Sequence, residues 1–155
     1  MRERKKAERD SLVLSEQTFP IIEQITAGMP GGFFIYHADG DKRLIYANRA
    51  LIRIYGCADL SDFQAYTGYT FPGLVYPEDL EMTERSIQQQ LLTGGDMDYV
   101  EYRIVRKDGE VRWIEDYGHF IHSQSVGDIF YVFLGDATEK RSRYLLETEH
   151  LLSER

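Results

Sequence analysis

The sequence predicts an α+β domain, with helices gathered on one side of a five-stranded antiparallel sheet. The strongest sign is residues 99–138, where three runs rich in Val, Ile, Phe, Tyr and Trp alternate with turn residues, the pattern of an antiparallel meander. A separate hairpin lies upstream, with strands at 33–37 and 43–47 around the turn Ala38-Asp39-Gly40-Asp41. Between hairpin and meander the apolar spacing turns helical: Leu51, Ile54 and Tyr55, then Leu80, Thr83, Ile87 and Leu91.

Taken in order, residues 1–10 hold five Lys/Arg and three Asp/Glu, a solvated helical stretch of local charge +2. A weak heptad follows at Leu12, Ser15, Phe19, Ile22, Thr26 and Met29. Pro20 interrupts it, so a linker helix should end near Phe19 and a second begin with Pro20 in its first turn. Met29-Pro30-Gly31-Gly32 breaks that helix. Asn48 stands where an N-cap belongs, and Gly56 is a helix stop. Residues 58–69 read as short helical turns. Val75-Tyr76-Pro77-Glu78-Asp79 then opens a longer helix, with proline and two carboxylates suited to its first turn. Gly94-Gly95 ends it.

In the meander, Asp108-Gly109 tolerates the positive φ of a two-residue hairpin, so residues 102–106 should pair with 111–115. The turn at 123–127 is looser. Residues 129–134 are apolar throughout, as a strand covered on both faces requires. Asp136 and Thr138 can cap a final helix, 139–155, on which Leu145, Thr148 and Leu152 form a narrow seam.

Composition sets outer bounds. The 155 residues suit one domain with helical extensions. A net charge of −8 argues against nucleic acid as the main partner. No apolar run approaches the ~18–20 residues of a membrane span, and the first residues lack the apolar core of a signal peptide. The single cysteine excludes an internal disulfide and suits a reducing cytoplasm.

Glu101-Tyr102-Arg103, Lys107-Asp108-Gly109, Arg112-Trp113 and Gly135-Asp136-Ala137-Thr138 together resemble the C-terminal half of a PAS domain. Residues 31–56, GGFFIYHADGDKRLIYANRALIRIYG, resemble the opening of the same family, and the likeness runs from Pro30 to Thr138. It implies N-terminal linker or dimerisation helices over 1–28, a PAS domain over 29–138, and a C-terminal signalling helix over 139–155. It further implies a cytoplasmic sensor that relays occupancy of an internal pocket through Asp136 and Thr138. The alternative is a ligand-free protein–protein interaction domain. Expected partners are a second copy in a parallel homodimer, a small-molecule ligand and, if the chain is a fragment, a downstream effector of kinase or cyclase type.

Comparison with the flavin-binding LOV subclass puts Leu134 at a ligand-facing position. Strand alternation then turns Phe130 and Val132 inward on the last strand, with Phe34 and Tyr36 on the first. It selects Tyr102 and Ile104, and Ile114 and Asp116, on the two strands between. Asp116 is the unusual member, since a carboxylate in an apolar cavity is costly without a partner. Either it lies near the sheet edge or pairs with Arg103 or Arg112, or it accepts hydrogen bonds from a small polar or cationic ligand flanked by Tyr36 and Tyr102.

Flavin and heme are not expected. LOV domains use a cysteine in a later helical segment, and residues 64–73 contain none; their last-strand glutamine is replaced by Leu134. Cys57 reads as a small semi-buried residue. Heme-binding relatives take a histidine from the long helix, and 77–92 has none; His37, His119, His122 and His150 lie elsewhere without metal-ligand spacing. Gly94-Gly95-Asp96-Met97 resembles the start of the diguanylate cyclase motif, but glycines are ordinary between a helix stop and a strand. No nucleophile–base pair or phosphate loop stands out, so an enzyme is not expected.

Overall fold

A computed structural model of the chain describes residues 16–153. Its elements are α1 (Phe19–Thr26), β1 (Gly32–His37), β2 (Leu44–Ala47), α2 (Arg49–Ile54), α3 (Leu60–Thr67) and α4 (Phe71–Leu74). A 3-10 turn (Pro77–Asp79) leads into α5 (Leu80–Gly94), followed by β3 (Met97–Val105), β4 (Val111–Ser123), β5 (Gly127–Asp136) and α6 (Thr138–Ser153). The five strands form one antiparallel sheet in the order β2-β1-β5-β4-β3. The charged stretch 1–10 and the heptad positions Leu12 and Ser15 lie outside the described residues.

Local chemistry explains the boundaries. Asn48 Oδ1 accepts from the N–H of Leu51, capping α2, and from the N–H of Phe33 on β1, both at 3.0 Å. Its Nδ2 donates to Thr26 Oγ1 at 3.1 Å, so one buried amide joins α1, β1 and α2. Thr83 and Ile87 are buried on α5, and Leu80 and Leu91 pack beside them as the spacing required.

Two turns differ from expectation. Residues 102–106 do face 111–115, but Arg106 N–H bonds Glu110 O at 2.8 Å around a three-residue loop. Only Gly109 takes a positive φ, +91°, whereas the two-residue turn needs it at both central positions. Arg43, expected on the second strand, instead bridges Thr70. The register shift between Ile35 and Tyr36 and the left-handed Lys42 (φ 58°) move the start of β2 to Leu44.

The sheet buries both faces unequally. Under α2–α5 lies the main core, including Phe34, Tyr55, Phe63, Phe71, Tyr102, Ile104 and Val132. On the other face α1 lays Phe19 and Ile22 against Phe33, Ile35, Tyr46 and Ile129, with Phe19 stacked on Tyr46 at 4.9 Å. Phe19, Ile22 and Thr26, expected on an intermolecular seam, therefore pack within their own chain.

Edge strand β3 is covered rather than open. The side-chain amide of Gln90 accepts from Tyr99 N–H and donates to Tyr99 O, each at 2.8 Å. Further along, Arg103 N–H donates to Asp79 Oδ2 and Arg103 O accepts from Tyr76 N–H.

Candidate functional site

Alternation along the strands builds the site. Phe34 and Tyr36 of β1, Phe130, Val132 and Leu134 of β5, Ile114 and Asp116 of β4, and Tyr102 and Ile104 of β3 are all buried under the helices. Tyr36 stacks between Phe71 at 4.7 Å and Phe130 at 5.0 Å, and Tyr102 meets Phe71 edge-on at 6.1 Å. Phe71 is the contribution the strand pattern could not supply, because it stands on α4, where proline and glycine mask the helical spacing.

Asp116 is only 1% exposed, and Tyr102 O–H donates to its Oδ2 at 2.6 Å. Neither expected arginine reaches it. Arg103 faces the other way and pairs with Asp79, Nη2 to Oδ1 at 2.7 Å, while Arg112 Nε meets Asp136 Oδ2 at 2.7 Å. Nor is Asp116 at a sheet edge, since β4 is paired on both sides. Burial pushes its carboxyl up to about 8. Burial first, and the Asp116 charge second, raise the hydroxyls of Tyr36, Tyr55 and Tyr102 well above their ordinary value.

A second buried acid was missing from the expected set. Asp98 follows from the same alternation, two residues before Val100 and four before Tyr102, and is 6% exposed. Burial pushes its carboxyl up to about 6.

The junction after β5 differs from a simple cap. Asp136 Oδ1 accepts from Thr138 N–H at 2.9 Å, as a cap should, but Thr138 Oγ1 accepts from Trp113 N–H on β4 at 2.8 Å. Ala137 N–H donates to Trp113 O at 2.8 Å. The β4–β5 ladder ends at Ile114–Asp136, so these two bonds satisfy the backbone of the next β4 residue. Burial alone would raise the Asp136 carboxyl, but hydrogen bonds from Arg112 and Thr138 outweigh it and hold it below the usual range. The first turns of α6 rest on the outer face of β4: Arg141 lies 3.6 Å from the Trp113 ring centre, and Lys140 pairs with Glu115 at 3.2 Å. Beyond them Tyr144, Leu145, Leu146 and Leu151 are exposed, and the Leu152 side chain lies outside the described residues.

Cys57 is buried, with Sγ 3.8 Å from Tyr55 O. His119 contacts Asp96 and Tyr131, and His122 contacts Asp128. Among the described residues no group of three or more His, Cys, Asp or Glu could hold a metal ion, and no helix is long and apolar enough to cross a membrane.

Solved structures share this fold. An RNA-binding light-oxygen-voltage receptor superposes with a TM-score of 0.64 at 23% identity, over 92% of this chain and 40% of that one. A sensory box histidine kinase/response regulator from Burkholderia thailandensis E264 gives 0.62 at 18% identity, over 86% of this chain and 98% of that one. A PAS domain from a two-component sensor histidine kinase gives 0.59 at 15%, over 78% and 97%. No curated protein matches the chain at a significant level. The family model described as the PAS fold matches residues 44–132, more than half of the sequence. With that match and this sheet, the chain belongs to the PAS family of sensory domains.

Proposed function

We propose that this domain is a PAS sensor of the kind that uses neither flavin nor heme, in which occupancy of the interior around Asp116 is passed through β4 to α6. The observation that carries this reading is the pair of bonds from Trp113 to Ala137 and Thr138, three residues along the strand from Asp116. A small molecule that favours one setting of β4 over another shifts the helix, provided it binds the two settings with different affinity. Leu134 at the place of the LOV glutamine, and the absence of cysteine from 64–73, support the choice against flavin. Lack of histidine on α5 supports the choice against heme.

In this reading residues 1–28 join two copies in parallel, with Ile21 and Ile25 offering exposed apolar side chains on α1. Residues 29–138 sense, and 139–155 lead to an effector of kinase or cyclase type in a longer protein. RNA binding stays with the light-oxygen-voltage receptor, because a net charge of −8 opposes it here. The rival, a ligand-free interaction domain, draws on the close stack of Tyr36, Phe71 and Phe130 in the interior. Native mass spectrometry of the purified protein, before and after denaturation, separates them. A retained small mass lost on denaturation is the expected result. A bare polypeptide mass under both conditions favours the rival.

A further inference from the structure

Asp98 and Asp116 lie on the same inner face of the β3–β4 ladder, where Asp98 opposes Gly118 and Val100 opposes Asp116. Asp98 is 94% buried, the complement of its 6% exposure, and neither carboxylate oxygen has a hydrogen-bond partner. Its carboxylate occupies room that exists only because Gly118 lacks a side chain. A β-carbon there would stand 2.6 Å from Oδ2 and 2.7 Å from Oδ1.

The groups that face this pair are acids and phenols. Tyr102 of β3 bonds Asp116, Tyr36 projects from β1, and Tyr55 follows α2. Glu84 approaches from α5, where it is already paired with Lys42 at 3.2 Å. No lysine or arginine among the described residues bonds either carboxylate; Arg103 and Arg112 are taken by Asp79 and Asp136. Two neighbouring acids under a helical roof, one with both oxygens idle, are costly in an empty protein. A cation between them removes that cost.

We propose that Asp98 and Asp116 form the anionic wall of a binding site for a small organic cation, a protonated primary amine. This rests on the reading that the interior binds a small molecule. Ammonium N–H groups supply donors for the idle oxygens of Asp98, and the hydroxyl that Tyr102 already directs at Asp116 marks the polar end of the site. A bare metal ion fits less well, since the described residues gather no third ligating side chain. A groove of about 500 Å³ between α5 and β3 is lined in part by Val100, the inner-face neighbour of Asp98.

The test measures melting midpoint and calorimetric binding with ethylammonium chloride, against potassium chloride and sodium propionate at equal ionic strength. Ethylammonium should raise the wild-type midpoint at about pH 8, where the acids are more ionised, and its affinity should fall up to about tenfold per pH unit below their titration. Asp98→Asn, nearly isosteric, should abolish the shift, as should Gly118→Ala, whose β-carbon displaces the Asp98 carboxylate. Circular dichroism confirms that each variant is folded, and Asp98→Asn decides if Gly118→Ala is not. An equal response of wild type and Asp98→Asn, or a response to potassium as large as to ethylammonium, overturns the site. A neutral or anionic mass retained in native spectra without any ethylammonium response overturns the cation and leaves the sensor reading standing. No retained mass and no response removes both.

Discussion

Asp79 stands at the start of α5 and Asp136 at the end of β5, and each has an arginine. Asp98 and Asp116 stand inside the sheet–helix layer, and neither has one. Arg103 grips Asp79 through Nε at 3.0 Å and Nη2 at 2.7 Å, and its backbone N–H adds a third bond at 2.9 Å. The Arg103 guanidinium holds the Asp79 carboxyl below the ordinary range, and Arg112 with Thr138 does the same for Asp136 against its burial. The interior pair moves the other way, to about 6 and about 8. One side chain thus serves two purposes, set by whether a guanidinium can reach it. The outer pair are clamps that stay charged across the neutral range. The inner pair change charge within it.

The largest effect that would break this contrast is on pH dependence. A carboxyl raised in the folded state holds its proton there while the unfolded chain has released it. Its contribution to stability is therefore complete below about pH 4 and is lost as pH rises through about 6 for Asp98 and about 8 for Asp116. Each such proton gives a slope of about 1.4 kcal/mol per pH unit. Urea denaturation should show the ligand-free protein weakening from acid to mildly alkaline pH, and Asp116→Asn should flatten the upper part of that slope. A flat wild-type profile would mean the interior acids behave like the clamps.

Asp79→Ala tests the opposite kind. It removes three bonds and leaves Arg103 beside Trp113 and Tyr76 without its carboxylate, at a cost of about 1–3 kcal/mol. Because the Asp79 carboxyl is lowered on folding, its contribution is present above about pH 4 and fades only as pH falls through its folded value. The loss in the variant should therefore be equal at neutral and mildly alkaline pH in the same denaturation series.

A smaller effect sharpens the comparison at the C-terminal junction. Thr138→Ala leaves Trp113 N–H without its oxygen and should cost about 1 kcal/mol. Hydrogen exchange should quicken at Trp113 and along the first turns of α6, while β1 and β2 keep their protection. Acceleration spread evenly over the sheet would show that the junction is no separate link.

Much of this arrangement is legible in the sequence, because strand parity is a strict rule. Period two carries Phe34, Tyr36, Tyr102, Ile104, Ile114, Asp116, Phe130, Val132 and Leu134 to one face without any three-dimensional information. The same rule names Asp98 and Gly118, but their meaning depends on each standing opposite the other, which is a fact of register. The choice of arginine partner is not legible. Arg103 pairs with a carboxylate 24 residues away, delivered by the packing of α5 on β3. Thr138 looks like a helix cap from its position, yet its oxygen goes to a strand, because β4 continues past Ile114, where its ladder with β5 ends.

The Gln90 amide against Tyr99 has a consequence for assembly. A free sheet edge invites another strand, whether from a peptide or from a second copy. Here one primary amide imitates a peptide unit of that missing strand, and Asp79 with Tyr76 occupies the outward-facing backbone pair at Arg103, beyond that of Glu101. Recruitment by strand addition at β3 would first have to pull α5 off the sheet. That leaves broad surfaces and helices, rather than the rim at β3, as the places where a neighbour can attach without disturbing the roof over the two buried acids.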